Sequence, residues 1–456
     1  MRASVVRALT KVLGGASLKG ICHNDRASFA LVSETLRRKT LLQRALADAG
    51  LAHAVEEGGK THAEALLAAH ELLFGRGLRA RGKGAVWSPN VRFKLLRWQA
   101  RLLRASKGRP LAHGQSTRFT GRRGLSSALP RLPRYVRVNT LLARTADVVA
   151  VLQREGYTLE SAPALGCREM WRTVGVGTFT SMGPKSGMMW MDETVPDLLV
   201  LPAGLELHRH QMVKHGTLIL QDKASCFTPV ALAPREGEAL IDCCAAPGNK
   251  TSQLAALAAP GGSVVAVERD PTRARMLRAR LATVHADSLV RVIEGDFLSV
   301  SPEENPWRDA TAVLLDPSCS GSGMVERQIE EGEEARDSVH GSAGNSTRLR
   351  ALAALQVRLL LHALRLPKVR RVAYSTCSVH PLENEVVALT VASQPDVVDA
   401  GWRLVHAIPS WPCRGIPLSD DVRSECEKMV RAGPEWLTNG FFVAMFERSG
   451  NTTEEI

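Results

Sequence analysis

Two cysteines stand where a thiol could do chemistry. Cys377 lies in Tyr374-Ser375-Thr376-Cys377-Ser378, and Cys319 in Asp316-Pro317-Ser318-Cys319-Ser320-Gly321-Ser322-Gly323. Each follows an apolar run that reads as a β-strand ending at the ligand edge of one sheet. A buried cysteine is most often a small inert hydrophobe. Here, however, both sit among small hydroxyl and glycine residues that offer N–H donors and room for a flat substrate. A free thiol ionises near about 8.5, so a nucleophilic cysteine needs a site that favours its thiolate. Two thiols suit a reaction at C5 of cytosine, a poor nucleophile until a thiolate adds to C6. The adduct is an enamine that can attack a methyl sulfonium. Protonation at N3 by an acid such as Asp316 would offset the charge developing in it. The C5 proton must then leave and the enzyme be eliminated, a second step in which another thiol can take part. The residues alone leave the two roles interchangeable.

A donor site is written beside these cysteines. Ala245-Ala246-Pro247-Gly248-Asn249-Lys250 follows an apolar strand and opens a helix, where backbone N–H groups and a positive helix end face a ligand. A Cβ at Gly248 is expected to push such a ligand away. The turn matches neither a P-loop nor G-x-G-x-x-G, so a pyrophosphate is not the obvious guest. Glu268 ends the next strand, placed to accept both ribose hydroxyls, and Asp296 follows the third, placed to accept from an adenine amino group. Each acid alone is an ordinary turn residue; together at successive strand ends they spell a nucleoside.

These residues need a scaffold, and the chain supplies one from about residue 211. An apolar strand at 239–243, GSVVAVERD, VRVIEGDF, TAVLLDPSCSGSG and 369–374 alternate with helical segments, including the basic TRARMLRARLATVHA and 348–366. That order predicts a parallel doubly wound sheet with its ligand at the carboxyl ends of the strands. The polar, acidic stretch 326–347 reads as an exposed loop. Upstream, 133–142 alternates like a strand and 146–156 like a short helix ending in Gly, whereas 165–192 fits no pattern. Apolar spacing predicts amphipathic helices at 28–53, 61–74 and 91–104, the last two separated by a Gly- and Arg-rich stretch at 75–85.

Charge is placed unevenly. Residues 1–150 hold 28 Lys/Arg against 8 Asp/Glu, leaving 31 against 38 for the remainder of a chain of net charge +13. From Arg76 to Arg137 there are 17 Lys/Arg and no acid, with Trp87, Phe93, Trp98, Phe119 and Tyr135 interleaved. A block of this kind neutralises phosphates and offers rings to bases, so a polynucleotide is the expected partner. Nine dispersed cysteines without C-x-x-C spacing exclude a disulfide framework and a zinc knuckle, and no metal is expected. No apolar stretch is long enough to span a membrane.

With these residues assembled, the chain resembles the NOL/NOP/Sun (Fmu/Sun) family of RNA 5-methylcytosine methyltransferases. The motifs are RVNTL (137–141), LILQDKAS (218–225), DCCAAPGNKTSQLAAL (242–257), Glu268 with Arg273, Asp296, DPSCSGSG (316–323), YSTCSVHPLENE (374–385) and GFFVA (440–444), in the family's order across nearly the whole chain. The resemblance implies RNA as the polynucleotide, S-adenosyl-L-methionine as cofactor, Cys377 as nucleophile and Cys319 as the thiol assisting product release. It also implies a donor site lined by Cys244, Ala245, Ala246, Pro247, Gly248, Asn249, Lys250, Glu268, Arg273, Asp296 and Asp316. Many members have Gly where this chain has Asn249, and Pro where it has Ser318. With SLKGI (17–21) and WPCRG (411–415), these departures are similar to the subgroup that methylates large-subunit ribosomal RNA in the nucleolus.

The expected fold class is α/β: a Rossmann-like class I methyltransferase core at 213–449, preceded by a helical basic region at 1–129 and a small α+β RNA-binding domain at 130–212, with a tail at 450–456. An assembly factor that binds RNA without catalysis would explain fold and charge but not both cysteines, Asp316 and the donor acids. A small-molecule methyltransferase would not need the cationic block. An amino-group methyltransferase would carry an aromatic residue where Cys319 stands. The cationic, acid-free start of the chain also fits a mitochondrial presequence, but the resemblance reaches into it, so the nucleus and nucleolus are expected.

Overall fold

The computed structural model describes residues 3–13, scattered positions between 31 and 46, and residues 59–73, 132–162, 183–324 and 343–449. The helix expected at 91–104, the cationic block as far as residue 131, and residues 325–342 of the expected acidic loop lie outside the described residues, as does most of 165–192. The chain divides into two compact units, residues 1–122 with 326–340 and residues 123–325 with 341–456. In the first, α1 (Ala3–Leu13) packs on α2 (Gly59–Leu73), burying Val5, Val6 and Leu9 on one side and Leu66 and Leu67 on the other. The second unit holds every candidate site residue.

That unit begins with a five-stranded sheet made from β1 (Arg134–Val138), β2 (Thr158–Glu160), β3 (Met188–Met191), β4 (Leu198–Leu201) and β5 (Leu218–Leu220), in the order β2-β3-β4-β1-β5. Helix α3 (Thr145–Arg154) lays Val148, Val149 and Leu152 against Val136, Val138, Leu199 and Leu201. Alternate residues of the same strands, Tyr135, Leu198 and Val200, point the other way and join Ile219, Phe227 and Leu232 in the core below the larger sheet. β5 pairs with β1 and hands the chain to α4 (Lys223–Leu232), whose first turn is capped by Asp222 accepting from the Ala224 N–H at 2.9 Å.

The larger sheet comprises β6 (Ala239–Asp242), β7 (Ser263–Glu268), β8 (Val290–Glu294), β9 (Ala312–Leu315), β10 (Arg371–Thr376), β11 (Trp402–Val405), β12 (Val430–Ala432) and β13 (Phe441–Arg448). Its order is β11-β13-β10-β9-β6-β7-β8, with β12 beside β13. Helices α5 (Asn249–Ala258), α6 (Pro271–Thr283), α7 (Ala343–Leu364) and α8 (Glu385–Ala392) cover it. Period-two alternation feeds both faces: Leu240, Ala312, Leu314 and Ala373 enter one core, and Ile241, Val313, Leu315, Val372 and Tyr374 the other.

The sheet is parallel from β8 to β10, as the alternation of strands and helices implies, but β13 runs antiparallel to β10. The strands expected from 239 to 374 are all parallel, and β13, which carries the GFFVA motif, adds an antiparallel neighbour to them. β13 is entered from the ligand edge, where the Gly440 N–H donates to the Gly323 carbonyl at 2.7 Å, so no crossover helix carries the chain back before it starts. The acidic stretch at 326–347 also ends sooner than expected, since α7 begins at Ala343.

Candidate active site

β9 and β10 are neighbours in parallel register, so the loops that leave them run side by side at one edge. Cys319 and Cys377 thereby come together with their sulfurs 3.2 Å apart. Three backbones converge to hold them: the Gly323 N–H donates to the Cys377 carbonyl at 2.9 Å while its own carbonyl receives Gly440. A Cβ on Gly323 would lie 2.2 Å from the Gly440 oxygen and 2.8 Å from the Cys377 oxygen, so only glycine permits this approach. The serines are employed differently from the sequence-based expectation. Ser320, Ser322 and Ser378 hydroxyls bond one another at 3.1–3.3 Å, and those of Ser322 and Ser378 accept from the Val379 and His380 N–H groups. They staple the two loops together.

The thiols are not equivalent electrostatically. The hydrogen bond to Cys377, then burial, then the charges of Cys377 and Asp316 push the Cys319 thiol far above its ordinary range. The pairing, burial and the charge of Asp316 therefore favour the S–H form of Cys319. Lys250 lies within the field of Cys377: burial alone would lower the lysine, but the charge and hydrogen bond of Asp316, with Cys377 and Asp242, raise it instead. The ammonium is 2.7 Å from Asp316 Oδ2 and 5.1 Å from the centre of the Phe441 ring. Asp316 Oδ1 accepts from the Ser375 hydroxyl at 2.8 Å. An aspartate so placed is a hydrogen-bond acceptor, and it can serve as the acid at N3 only with a proton passed on from Lys250.

Beneath the pair lies Asp242, which sequence reasoning did not single out although it opens the DCCAAPG motif. Burial raises it to about 7, against the opposing hydrogen bond from Thr251 at 2.7 Å. Among the described residues its Oδ1 has no hydrogen-bond partner.

The donor turn follows β6. Cys243 and Cys244 are the last residues of its approach, and burial, first of all, raises both thiols, which makes them inert. Ala245 and Ala246 are buried, and Gly248 caps α5 with φ 105°, a conformation side chains resist. A Cβ there would also meet Leu277 Cδ1, the tip of a flexible α6 side chain, at 2.8 Å, so the positive φ is what makes glycine necessary.

Glu268, at the end of β7, is 4% exposed. Its Oε1 accepts from the Asp270 N–H at 3.0 Å, whereas among the described residues its buried Oε2 has no hydrogen-bond donor and faces only the Arg273 guanidinium at 3.4 Å. Arg273 also donates to the Ala246 carbonyl at 2.7 Å, so it ties the turn to Glu268. A buried carboxylate oxygen lacking a donor fits a ribose hydroxyl. Asp296 uses Oδ1 to cap a short 3-10 turn through the Leu298 N–H, and its Oδ2 lies 4.0 Å from Arg269. Turn, Glu268 and Asp296 thus stand at the ends of three adjacent strands, β6, β7 and β8, as the nucleoside reading requires.

RVNTL has a structural role that its residue types did not disclose. Arg137, 3% exposed, donates to Gln221 Oε1 at 2.9 Å, to Ser252 Oγ at 2.9 Å and to the Asn249 carbonyl at 3.3 Å; burial lowers it to about 10, so it stays charged. Asn139 donates to the Gly216 and Val284 carbonyls at 3.0 and 2.8 Å. The small sheet is thereby bolted to α5 directly after the donor turn.

Residues 229–446 match the family model described as 16S rRNA methyltransferase RsmB/F, and residues 132–221 match the NOL1/NOP2/Sun domain family member 5, ferredoxin-like domain. The chain is 37% identical to the 28S rRNA (cytosine-C(5))-methyltransferase of Mus musculus, over 95% of this chain and 87% of that one. It is 33% identical to the 25S rRNA (cytosine-C(5))-methyltransferase of Schizosaccharomyces pombe, over 92% and 84%. Among solved structures, a methyltransferase homologue from Pyrococcus horikoshii superposes with a TM-score of 0.51 at 21% identity, over 90% of this chain and 99% of that one. That likeness shows the fold.

Proposed function

Because the chain belongs to the family of ribosomal RNA cytosine-C5 methyltransferases that join this ferredoxin-like domain to an RsmB/F catalytic domain, we propose that it methylates C5 of a cytosine in large-subunit ribosomal RNA through a covalent bond from Cys377 to C6. The observation that carries the reading is the 3.2 Å approach of two thiols beside the Lys250–Asp316 pair. The methyl donor is S-adenosyl-L-methionine, which supplies an electrophilic methyl group when bound. The 245–250 turn, Glu268 and Asp296 would hold it, Glu268 taking the ribose hydroxyls.

Cys377 is the attacking thiolate, favoured by the Lys250 ammonium and by the Cys319 S–H. Its addition to C6 places negative charge on the ring, and a proton at N3, held by Asp316 and replenished from Lys250, balances that charge. The same addition changes Cys319. Its hydrogen-bond partner is now a neutral thioether, which removes one cause raising Cys319 while burial and Asp316 remain, and the thiol gives its proton to solvent before it acts as the base. After methylation the Cys319 thiolate takes the C5 proton. The C–H electron pair becomes the C5–C6 double bond, the C6–S bond breaks, and its pair returns to Cys377. The N3 proton returns through Asp316 to Lys250 as the base leaves, and elimination leaves the thiolate and thiol where the cycle began.

The cations from Arg76 to Arg131, ahead of the buried Arg137, support RNA as the partner through neutralised phosphates. The nucleolus, where large-subunit RNA matures, is the proposed location, and a tagged protein confined to mitochondria would overturn that assignment. Incubating the chain with labelled donor and deproteinised large-subunit RNA, then mapping by bisulfite sequencing, tests the substrate. A methylated cytosine in that RNA is expected; transfer to transfer RNA or small-subunit RNA alone would contradict it.

A further inference from the structure

Both peptide groups that flank the Cα of Cys319 are gripped from below. The Ser318 carbonyl accepts from Gln356 Nε2 at 3.0 Å, and the Ser320 N–H donates to Glu383 Oε1 at 2.9 Å. Gln356 Nε2 also donates to that Oε1 at 3.1 Å, so the two side chains form one unit. The Tyr374 hydroxyl lies 3.2 Å from Gln356 Oε1 and 2.5 Å from the Glu383 carbonyl, which joins the unit to the strand that delivers Cys377. Gln356, Tyr374 and Glu383 are all fully buried. A buried carboxyl is costly, and this one keeps an Oε2 without a hydrogen-bond partner among the described residues, yet its other oxygen is spent on a loop amide and on the Gln356 amide that grips the same loop. Apolar packing would support a loop without that cost; it would not fix the two peptide planes that aim one sulfur.

We propose that Glu383 and Gln356 are positioning residues for Cys319, setting its sulfur where it can take the C5 proton. The proposal rests on the reading of Cys319 as the thiol of product release. Because the grip bears on the peptides around Cys319 and not on those around Cys377, its loss should slow elimination more than bond formation. Misplacement of a reacting group by about 1 Å costs on the order of a hundredfold.

The test compares the parent chain with Glu383→Ala, Glu383→Gln and Gln356→Met in one labelled methyl-transfer assay. Single-turnover transfer and the fraction of RNA that stays covalently attached in denaturing electrophoresis are both read. In Glu383→Ala, transfer in the first turnover is expected to stay within about threefold of the parent while release slows at least about tenfold, so methylated adduct accumulates. Glu383→Gln keeps an oxygen for the Ser320 N–H and should restore release. Gln356→Met, close in volume to the parent side chain, should show a milder accumulation and carries the test if Glu383→Ala does not fold. Transfer and release falling together, or no accumulation in a folded Glu383→Ala or Gln356→Met, would overturn the proposal. A parent chain that transfers no methyl group to RNA would instead defeat the functional reading on which it rests.

Discussion

Lys250 Nζ lies 2.7 Å from Asp316 Oδ2, and the lysine side chain is only 14% exposed. The pair joins the donor turn to the thiol loops, since Lys250 begins α5 and Asp316 follows β9. Lys250→Met would leave Asp316 and the buried Asp242 without their cation. Breaking a buried pair costs about 3–5 kcal/mol, and partial exposure of Asp316 places this one near the lower figure. Methyl transfer should fall about a hundredfold or more, because the charge that favours the Cys377 thiolate and replenishes the N3 proton is gone. A folded Lys250→Met chain with transfer within threefold of the parent, read in the same labelled assay, would remove Lys250 from the chemistry.

Glu268 is a direct probe of the donor site. A hydrogen bond to a charged group contributes about 1.5–3 kcal/mol, so Glu268→Ala should weaken S-adenosylmethionine binding roughly tenfold or more in calorimetry. Some stability goes too, because the Asp270 N–H and Arg273 lose their carboxylate, so affinity is read on a variant whose fold is confirmed by its melting. Unchanged affinity in the folded variant would place the ribose elsewhere.

Asp242 makes stability depend on pH. Its carboxyl is raised to about 7 in the folded chain, against about 3.9 when unfolded, so the folded state holds the extra proton between those values. Its contribution is fully present below about pH 4 and is lost as pH rises through 7. Asp242→Asn should therefore gain on the parent between pH 5 and 7, by up to about 2.7 kcal/mol at 1.36 kcal/mol per unit. Melting curves that stay parallel for the two proteins over that range would mean Asp242 is ionised throughout.

Gly248 tests the scaffold beneath the donor turn. Alanine would have to adopt φ 105° and place its Cβ 2.8 Å from Leu277 Cδ1, combining backbone strain with overpacking. A loss of about 2–4 kcal/mol is expected, and donor affinity should fall because the turn itself is displaced. Gly248→Ala melting with the parent would show that α6 yields without strain.

The parts of this site that could be read from sequence are those written locally. The apolar strands feeding the DCC and DPSC segments, the Pro-Gly turn and the two cysteine motifs each announce themselves within a dozen residues. What could not be read joins residues far apart in the chain: Lys250 with Asp316, Glu383 with Ser320, Arg137 with Ser252, and the antiparallel return of β13 beside β10. Nothing local in YSTCSVHPLENE says that Glu383 turns inward to a loop amide, since a glutamate after proline reads equally well as a solvated turn. The serines mislead for the same reason. Their local composition suggests an open, polar pocket, whereas their hydroxyls are taken up by one another across two loops.

Which thiol bonds to the RNA is read directly from the two cysteine variants. Labelled methyl transfer should be followed by denaturing electrophoresis of Cys377→Ala and Cys319→Ala, both of which should fold and bind the donor. Cys377→Ala should show neither methylated RNA nor a covalent complex, while Cys319→Ala should accumulate a protein–RNA adduct that carries the label, because attack and transfer proceed and elimination does not. An adduct trapped by Cys377→Ala and absent from Cys319→Ala would exchange the two roles, and full activity in both would contradict the covalent mechanism.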